Sequence, residues 1–403
     1  MVIGIIGGGA SGMAAALAAA ENPEVQVLLL ERQARVGRKL QATGNGRCNL
    51  SNCNACAESY HGDDPSFAAF ALNNYPAEQT LDWFAGLGLY TVTEESGRVY
   101  PYSDQANSVV DVLRFGLQKD NIQVITGVEV TRIKKTQSGF ILSCTEGAYE
   151  CDKLIVACGG LAGTKLGGSM FGYKLLRSMG HRCTKLRPTL VQLKSDWNGC
   201  TALKGVRANC VVNILHNGQN HSHSRGELQF TEYGLSGPVI FETSRDVCQS
   251  GGEWAAQLDF LPDMPEDVLM DILRSRRAMP ITTDDLLTGI LHNRLGRVLT
   301  AAAGVRMQKA CAELTEEELM QVAAVVKGLE VDLTDTMGMD SAQVTAGGIC
   351  TDEFDPMTME SRLVAGLYAC GEVLDIDGDC GGYNLQWAWS SGRLAGHSAG
   401  GNT

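Results

Sequence analysis

The chain opens on an apolar run, Val2-Ile3-Gly4-Ile5-Ile6, whose length and lack of polar alternation predict a buried parallel strand. Six small residues follow, Gly7-Gly8-Gly9-Ala10-Ser11-Gly12, and then Met13 to Ala20. That alanine- and leucine-rich run favours a helix, because neither residue loses much side-chain entropy in one. A second apolar strand, Val25 to Leu30, ends on Glu31. Between 64 and 120 the pattern turns helical, with segments around Ala68–Asn73, Glu78–Leu87 and Ser108–Gln118 and a strand-like piece, Tyr90 to Tyr102, turning on Gly97. Short strands at Val124-Ile125, Val128–Ile133, Phe140–Cys144 and Tyr149–Cys151, punctuated by Ser138-Gly139 and Glu146-Gly147, predict an antiparallel meander. Lys153 to Ala157 is another buried strand, running into Cys158-Gly159-Gly160.

Residues 190–262 are again strand-rich, with His216-Asn217-Gly218 as a hairpin turn between Val206–Leu215 and Gly226–Phe230. Residues 263–340 are mainly short helices, broken at Pro280 and capped near Thr282-Thr283 and Leu314-Thr315. The end of the chain returns to glycine-rich turns: Thr345-Ala346-Gly347-Gly348-Ile349, then a strand into Gly371-Glu372, then Gly381-Gly382-Tyr383-Asn384-Leu385-Gln386 opening a helix. The predicted order is therefore a first domain in two parts, 1–189 and 341–403, interrupted by a β-rich segment (190–262) and a helical one (263–340).

Strand, glycine turn, helix, strand and acid is the arrangement that binds the ADP half of a dinucleotide. Gly7 permits the tight turn, Gly9 lets the backbone approach a pyrophosphate, and Gly12 lets the helix pack close to the strand. The helix N-terminus at Ala10 and Ser11 offers unpaired N–H groups to the phosphates. Glu31 stands where a carboxylate takes the hydrogen bonds of a ribose, which disfavours a 2′-phosphate and selects FAD or NAD over NADP at this place. Arg32, Arg38 and Lys39 can offset pyrophosphate charge, and Thr43-Gly44-Asn45-Gly46 is a small-residue loop that admits close approach. Ala157 and Gly159, Gly371 and Glu372, and Gly382, Asn384 and Leu385 supply further strand-end and helix-start positions for the same cofactor. A meander after a βαβ unit fits the FAD-binding fold of large flavoproteins, whereas a nicotinamide dehydrogenase more often continues with further βα units.

Composition narrows the function. The 403 residues are 44% hydrophobic and 20% charged, as in an ordinary globular protein, and the formal net charge of −13 opposes a nucleic-acid or anionic-membrane partner. The N-terminus lacks the basic region of a signal peptide, since its first basic residue is Arg32, and no stretch is apolar for long enough to span a bilayer, so a cytoplasmic protein is expected. The fourteen cysteines then read as reduced thiols, a usage that suits an anaerobe. Cys48-x4-Cys53 and Cys53-x2-Cys56 have spacings seen in redox or zinc pairs, but no second close pair and no second nicotinamide fingerprint accompanies them, and free thiols are expected. His221-x-His223 is read as an exposed hairpin pair, and no metal site is expected.

These motifs together resemble the bacterial flavoproteins that include bile-acid enone reductases and aminoacetone oxidases. The matching stretches are Gly7–Gly12 with Glu31, Gly37-Arg38-Lys39, Thr43–Asn49, Gly226–Pro238, Thr345–Ile349 and Gly366–Gly392, spread over nearly the whole chain. The resemblance implies a Rossmann-like FAD-binding fold interrupted by an inserted β-barrel and a helical cap over the flavin face. It implies Glu31 on the adenosine ribose, Arg38 and Lys39 near the pyrophosphate, the backbone of Val128 at the adenine, Glu372 on the ribityl chain, and Asn384 and Leu385 by the pyrimidine ring. Leu161 to Gly168 departs from the serine-tyrosine-proline run common in the family, which leaves the substrate open. The expected activity is reduction of a conjugated C=C in a hydrophobic, steroid-like molecule, with NADH or NADPH as transient donor and Arg47 and Tyr383 as candidate catalytic residues. Oxidation of a small aminoketone by O₂, and a flavin-binding partner protein without turnover, are the alternatives.

Overall fold

The computed structural model describes every residue except 246, 248, 249, 402 and 403. It divides into two compact units: Met1–Pro188 with Gln343–Thr403, and Thr189–Ala342.

The first unit is built on five parallel strands: β1 (Val2–Ile6), β2 (Gln26–Glu31), β3 (Ile122–Thr126), β4 (Lys153–Val156) and β5 (Leu367–Ala369). Their order is β5-β4-β1-β2-β3, and in register Ile6 faces both Leu30 and Val156 while Val156 faces Ala369. All five carboxyl ends therefore lie along one edge. Strand β3 corrects one expectation: Val124-Ile125 does not begin the meander but pairs in parallel with β2, Leu29 against Val124. The helix Ala106–Gly116 precedes it and makes the crossover that a parallel neighbour requires. The meander proper has three strands, Val130–Lys135, Phe140–Cys144 and Gly147–Cys151.

Two helices back the sheet. Helix α1 (Ala10–Ala19) is buried from Ser11 to Ala19, which is why its sequence shows no polar face. Helix α2 (Tyr383–Gly400) lies against it, and glycine sets the separation. A Cβ on Gly392 would stand 2.5 Å from the Ser11 carbonyl oxygen, and one on Gly396 would stand 2.4 Å from that of Ala15. Thus the last helix packs directly on the helix that begins the fold.

The second unit has its own hydrophobic cluster, shared by the strands and by helices Glu266–Ser275, Asn293–Ala302 and Glu316–Gly328, so the β-rich and helical segments are one folding body. The hairpin turns where expected, with Asn217 and Gly218 both at positive φ (51° and 75°), but its second strand is longer than expected, Gln219–Thr231. Residues Leu329–Leu333 pair with Trp254–Asp259, while Asp335–Thr336, one residue on, pair with Leu193–Lys194 at the other end of the same seven-stranded sheet. One nearly continuous stretch of chain joins both edges, and the sheet closes as a barrel. Thr315 and Glu318 cap the Glu316–Gly328 helix reciprocally, as the sequence signal anticipated. Among the described residues no helix is long and apolar enough to cross a membrane, and no group of three or more His, Cys, Asp or Glu could hold a metal.

Candidate cofactor site at the carboxyl ends of the parallel strands

The glycine turn follows β1, and each glycine has a separate reason to be there. Gly7 lies at φ 108°, and a Cβ on it would stand 2.4 Å from the Ala157 carbonyl oxygen. A Cβ on Gly12 would stand 1.8 Å from the Gly7 carbonyl oxygen, so α1 can approach the turn only with glycine there. Gly9 differs: its backbone is extended and a Cβ on it would meet no atom of the described residues within 4 Å. Packing does not demand glycine at Gly9, and an external group lying against the backbone would. Gly159, past the end of β4, likewise opens onto empty space. The first amides of α1 have no intrahelical acceptor.

Glu31, at the end of β2, is nearly buried. Its Oε2 accepts the Gly8 amide at 2.7 Å and its Oε1 accepts the Gln33 amide at 2.6 Å. The carboxylate therefore braces the glycine turn as well as presenting its remaining lone pairs. The Val128 amide donates to the Glu31 carbonyl at 3.1 Å, so only the Val128 carbonyl is left for a backbone contact to a base. Of the expected basic residues, Arg38 donates to Gln33 Oε1 at 2.6 Å and Arg32 donates to the Gly167 carbonyl. Lys39 pairs with Glu372 Oε2 at 2.8 Å.

That ion pair draws together residues from opposite ends of the chain. Glu372 Oε1 accepts the Thr345 amide at 2.9 Å, and Thr345 Oγ1 in turn accepts the amides of Leu161 and Ala162, each at 2.9 Å. Gly371 lies at φ 76° with its amide on Ser391 Oγ at 3.0 Å, and its carbonyl accepts from the Trp387 indole at 3.2 Å. Sequence reasoning missed Thr345 and Ser391 as supports. Thr345 stood at the head of a noted motif, whereas Ser391 sits in mid-helix with no local signal.

The loop Thr43–Gly46 is largely exposed, with Gly44, Asn45 and Gly46 at φ 57°, 56° and 87°. Thr43 anchors it by donating to the Leu40 carbonyl at 2.7 Å. Arg47 extends from it over the Tyr100 ring at 4.1 Å, with Nε on Asp104 at 2.5 Å and Nη2 on Glu94 at 3.5 Å. The Asp104 hydrogen bond raises its pKa, outweighing a slight lowering by burial, so the guanidinium can donate hydrogen bonds but not a proton. Tyr383 begins α2, half-buried against the edge of Tyr60, whose hydroxyl donates to the Tyr383 carbonyl at 3.0 Å. Burial, and then the Asp379 carboxylate, raises the Tyr383 phenol and keeps it neutral.

At the start of α2, Gly382 lies at φ 103°, and a Cβ on it would stand 2.2 Å from the Ser51 carbonyl oxygen. The Asn384 side chain closes the preceding turn, accepting from the Gly378 amide at 2.9 Å and donating to the Gly378 carbonyl at 2.7 Å. Leu385 is half-buried beside it. Gln386 is wholly buried, accepting from Ser51 at 2.6 Å and donating to the Tyr75 carbonyl, Thr80 and Ser390, each at 2.9 Å.

The thirteen described cysteines are free thiols, and Cys248 lies outside the described residues. Cys48 is fully buried and pushed up to about 12 by that burial, while Cys53 and Cys56 are exposed. His221 packs on the edge of Trp254, ring centroids 5.2 Å apart.

A helix N-terminus behind a glycine turn, open space at Gly9 and Gly159, a strand-end acid and a second helix N-terminus at Gly382 form an elongated cradle along one sheet edge. Its residues fit a dinucleotide carrying a second ring system. Comparison with known proteins agrees. The profile described as HI0933-like protein Rossmann domain matches residues 1–398. A 3-dehydro-bile acid delta(4,6)-reductase of Clostridium scindens is 41% identical over 98% of both chains. A ribosomal RNA dihydrouridine synthase of Escherichia coli is 31% identical over 96% of this chain and 95% of its own. Among solved structures, a flavocytochrome c3 fumarate reductase superposes with a TM-score of 0.50 at 16% identity, covering 99% of this chain and 78% of that one. The 3-ketosteroid delta1-dehydrogenase of Sterolibacterium denitrificans does so with a TM-score of 0.50 at 12% identity, covering 100% and 99%. The whole-chain match and the sheet-edge cradle lead to one assignment: the protein belongs to the HI0933-like family of Rossmann-domain proteins and is an oxidoreductase of the flavoprotein class.

Proposed function

We propose that the protein is an FAD-dependent reductase of a C=C bond conjugated to a carbonyl, in a hydrophobic, steroid-like small molecule, with NADH or NADPH as transient electron donor. The observation that carries this reading is the full-length 41% identity to the bile-acid reductase. FAD, when bound, supplies the hydride. The turn Gly7–Gly12 and the N-terminus of α1 hold the pyrophosphate, Glu31 the adenosine ribose, Glu372 the ribityl chain, and the start of α2 at Gly382–Leu385 the pyrimidine ring. Lys39, paired with Glu372, offsets phosphate charge. The Arg47 guanidinium serves as a donor to the substrate carbonyl oxygen, and neutral Tyr383 holds the proton for the carbon next to that carbonyl. Thirteen free thiols support a reducing compartment, the cytoplasm.

A second reading has one observation in its favour, the 31% identity to a ribosomal RNA dihydrouridine synthase. The uracil C5=C6 bond is also conjugated to a carbonyl, so the chemistry at the flavin is of the same type. A net charge of −13 opposes an RNA surface, and we prefer the small molecule. The test is an anaerobic visible spectrum during addition of NADH and then NADPH. A flavin bleached by either, restored by a steroid enone and only slowly by air, supports the reductase. Restoration by uracil-containing RNA and not by the enone selects the second reading. Bleaching by an aminoketone with fast recovery in air makes the protein an oxidase.

A further inference from the structure

Asn49 holds a polar atom that nothing among the described residues satisfies. Its Oδ1 is buried and has no hydrogen-bond partner among the described residues. Such an acceptor is costly to leave unpaired, and native structures keep few of them. Its position is not slack. Cys48, at φ 61° with its thiol fully buried, fixes the residue before it, and the Leu50 amide, on the Val99 carbonyl at 2.7 Å, fixes the residue after it. On one side a Cβ on Gly44 would stand 2.9 Å from the Asn49 amide nitrogen. On the other, a Cβ on Gly382 would stand 2.8 Å from Asn49 Oδ1 itself. The oxygen thus lies against the residue that caps α2, beside the free first amides of that helix.

We propose that Asn49 Oδ1 accepts a hydrogen bond from the ring N3–H of the bound flavin, an inference that rests on the FAD reading above. The pyrimidine edge of the flavin presents carbonyl, N–H and carbonyl in sequence, and so asks for donor, acceptor and donor. The N-terminal amides of α2 supply donors. The Asn384 side chain is already committed to Gly378 and Asp379. Asn49 is left as the acceptor, and the glycines at 44 and 382 keep room for its amide and its oxygen.

The test is titration of the full chain, freed of flavin, with FAD and with 3-methyl-FAD, which lacks the N3 donor, following flavin fluorescence. The wild type should prefer FAD by about tenfold or more. Asn49→Leu should bind FAD about tenfold more weakly, about 1.4 kcal/mol, and should discriminate little between the two. Asn49→Ala takes the same measurement if the leucine variant does not fold. A variant that keeps both the wild-type affinity and the wild-type preference overturns the proposal. A wild-type chain that binds neither flavin overturns the FAD reading itself, so the two failures are distinct.

Discussion

Gly9 and Gly12 are three residues apart in one turn, yet substituting alanine at each should have opposite consequences. At Gly9 the backbone (φ −81°, ψ −169°) suits any L-residue, and the added methyl meets nothing within 4 Å. Two small effects on the unliganded protein oppose one another. Alanine restricts the unfolded chain, worth roughly 0.4–1 kcal/mol, but is a poorer helix N-cap than glycine by a similar amount. Gly9→Ala should therefore leave the stability of the flavin-free protein within about 1 kcal/mol of wild type. A methyl in the space reserved for the pyrophosphate should weaken FAD binding by at least about 100-fold, or about 2.7 kcal/mol. At Gly12 the methyl would stand 1.8 Å from the Gly7 carbonyl oxygen, so α1 must move by over an ångström or the turn must open. Gly12→Ala should destabilise the flavin-free protein by about 3 kcal/mol or more. Thermal melting of the flavin-free variants and fluorescence titration with FAD separate the two effects. Gly9→Ala binding FAD within about threefold of wild type would refute the reasoning, since the open space would then not be where the pyrophosphate lies.

If Tyr383 delivers a proton to substrate, Tyr383→Phe should lower turnover roughly 100- to 10,000-fold with little change in FAD affinity. Because burial and Asp379 raise its phenol, turnover should show no alkaline loss from this group below about pH 10, which a pH–rate profile checks. Acid should destabilise the first unit through His181 and Glu353, 3.1 Å apart. Burial lowers His181 from its ordinary 6.5; burial pushes Glu353 up, but the Arg182 amide and guanidinium and His181 outweigh it and bring the net below 4.5. Each group adds stability above its unfolded pKa and loses it as pH falls through the folded value, so melting temperature should decline from about pH 6.5 downward, and Glu353→Gln should flatten the part below about pH 4.5. Iodoacetamide near pH 8 should modify exposed Cys53 and Cys56 and spare buried Cys48, read by peptide mass spectrometry. Labelling of Cys48 only after reduction would instead point to a disulfide relay.

What the sequence by itself determined is what local chemistry encodes. The β1–α1–β2 unit, the Gly7–Gly12 turn, the Asn217-Gly218 hairpin turn and the Thr315 cap all use interactions within a few residues, so residue type and spacing specify them directly. The partners of short apolar strands were not legible in that way. Val124-Ile125 reads equally well as a meander strand or a parallel neighbour, and the choice falls to β2, whose exposed edge offers a ladder after a helical crossover. The cradle's cross-braces depend on tertiary structure for the same reason. Lys39 with Glu372, Thr345 with the 161–162 amides, Ser391 with Gly371, and Gln386 with Ser51 join residues far apart in the chain, and no periodicity records such meetings. The unpaired oxygen of Asn49 is the extreme case. Its residue was visible in a motif, but an unsatisfied buried acceptor exists only once folding has removed water from around it, and only the tertiary structure decides that.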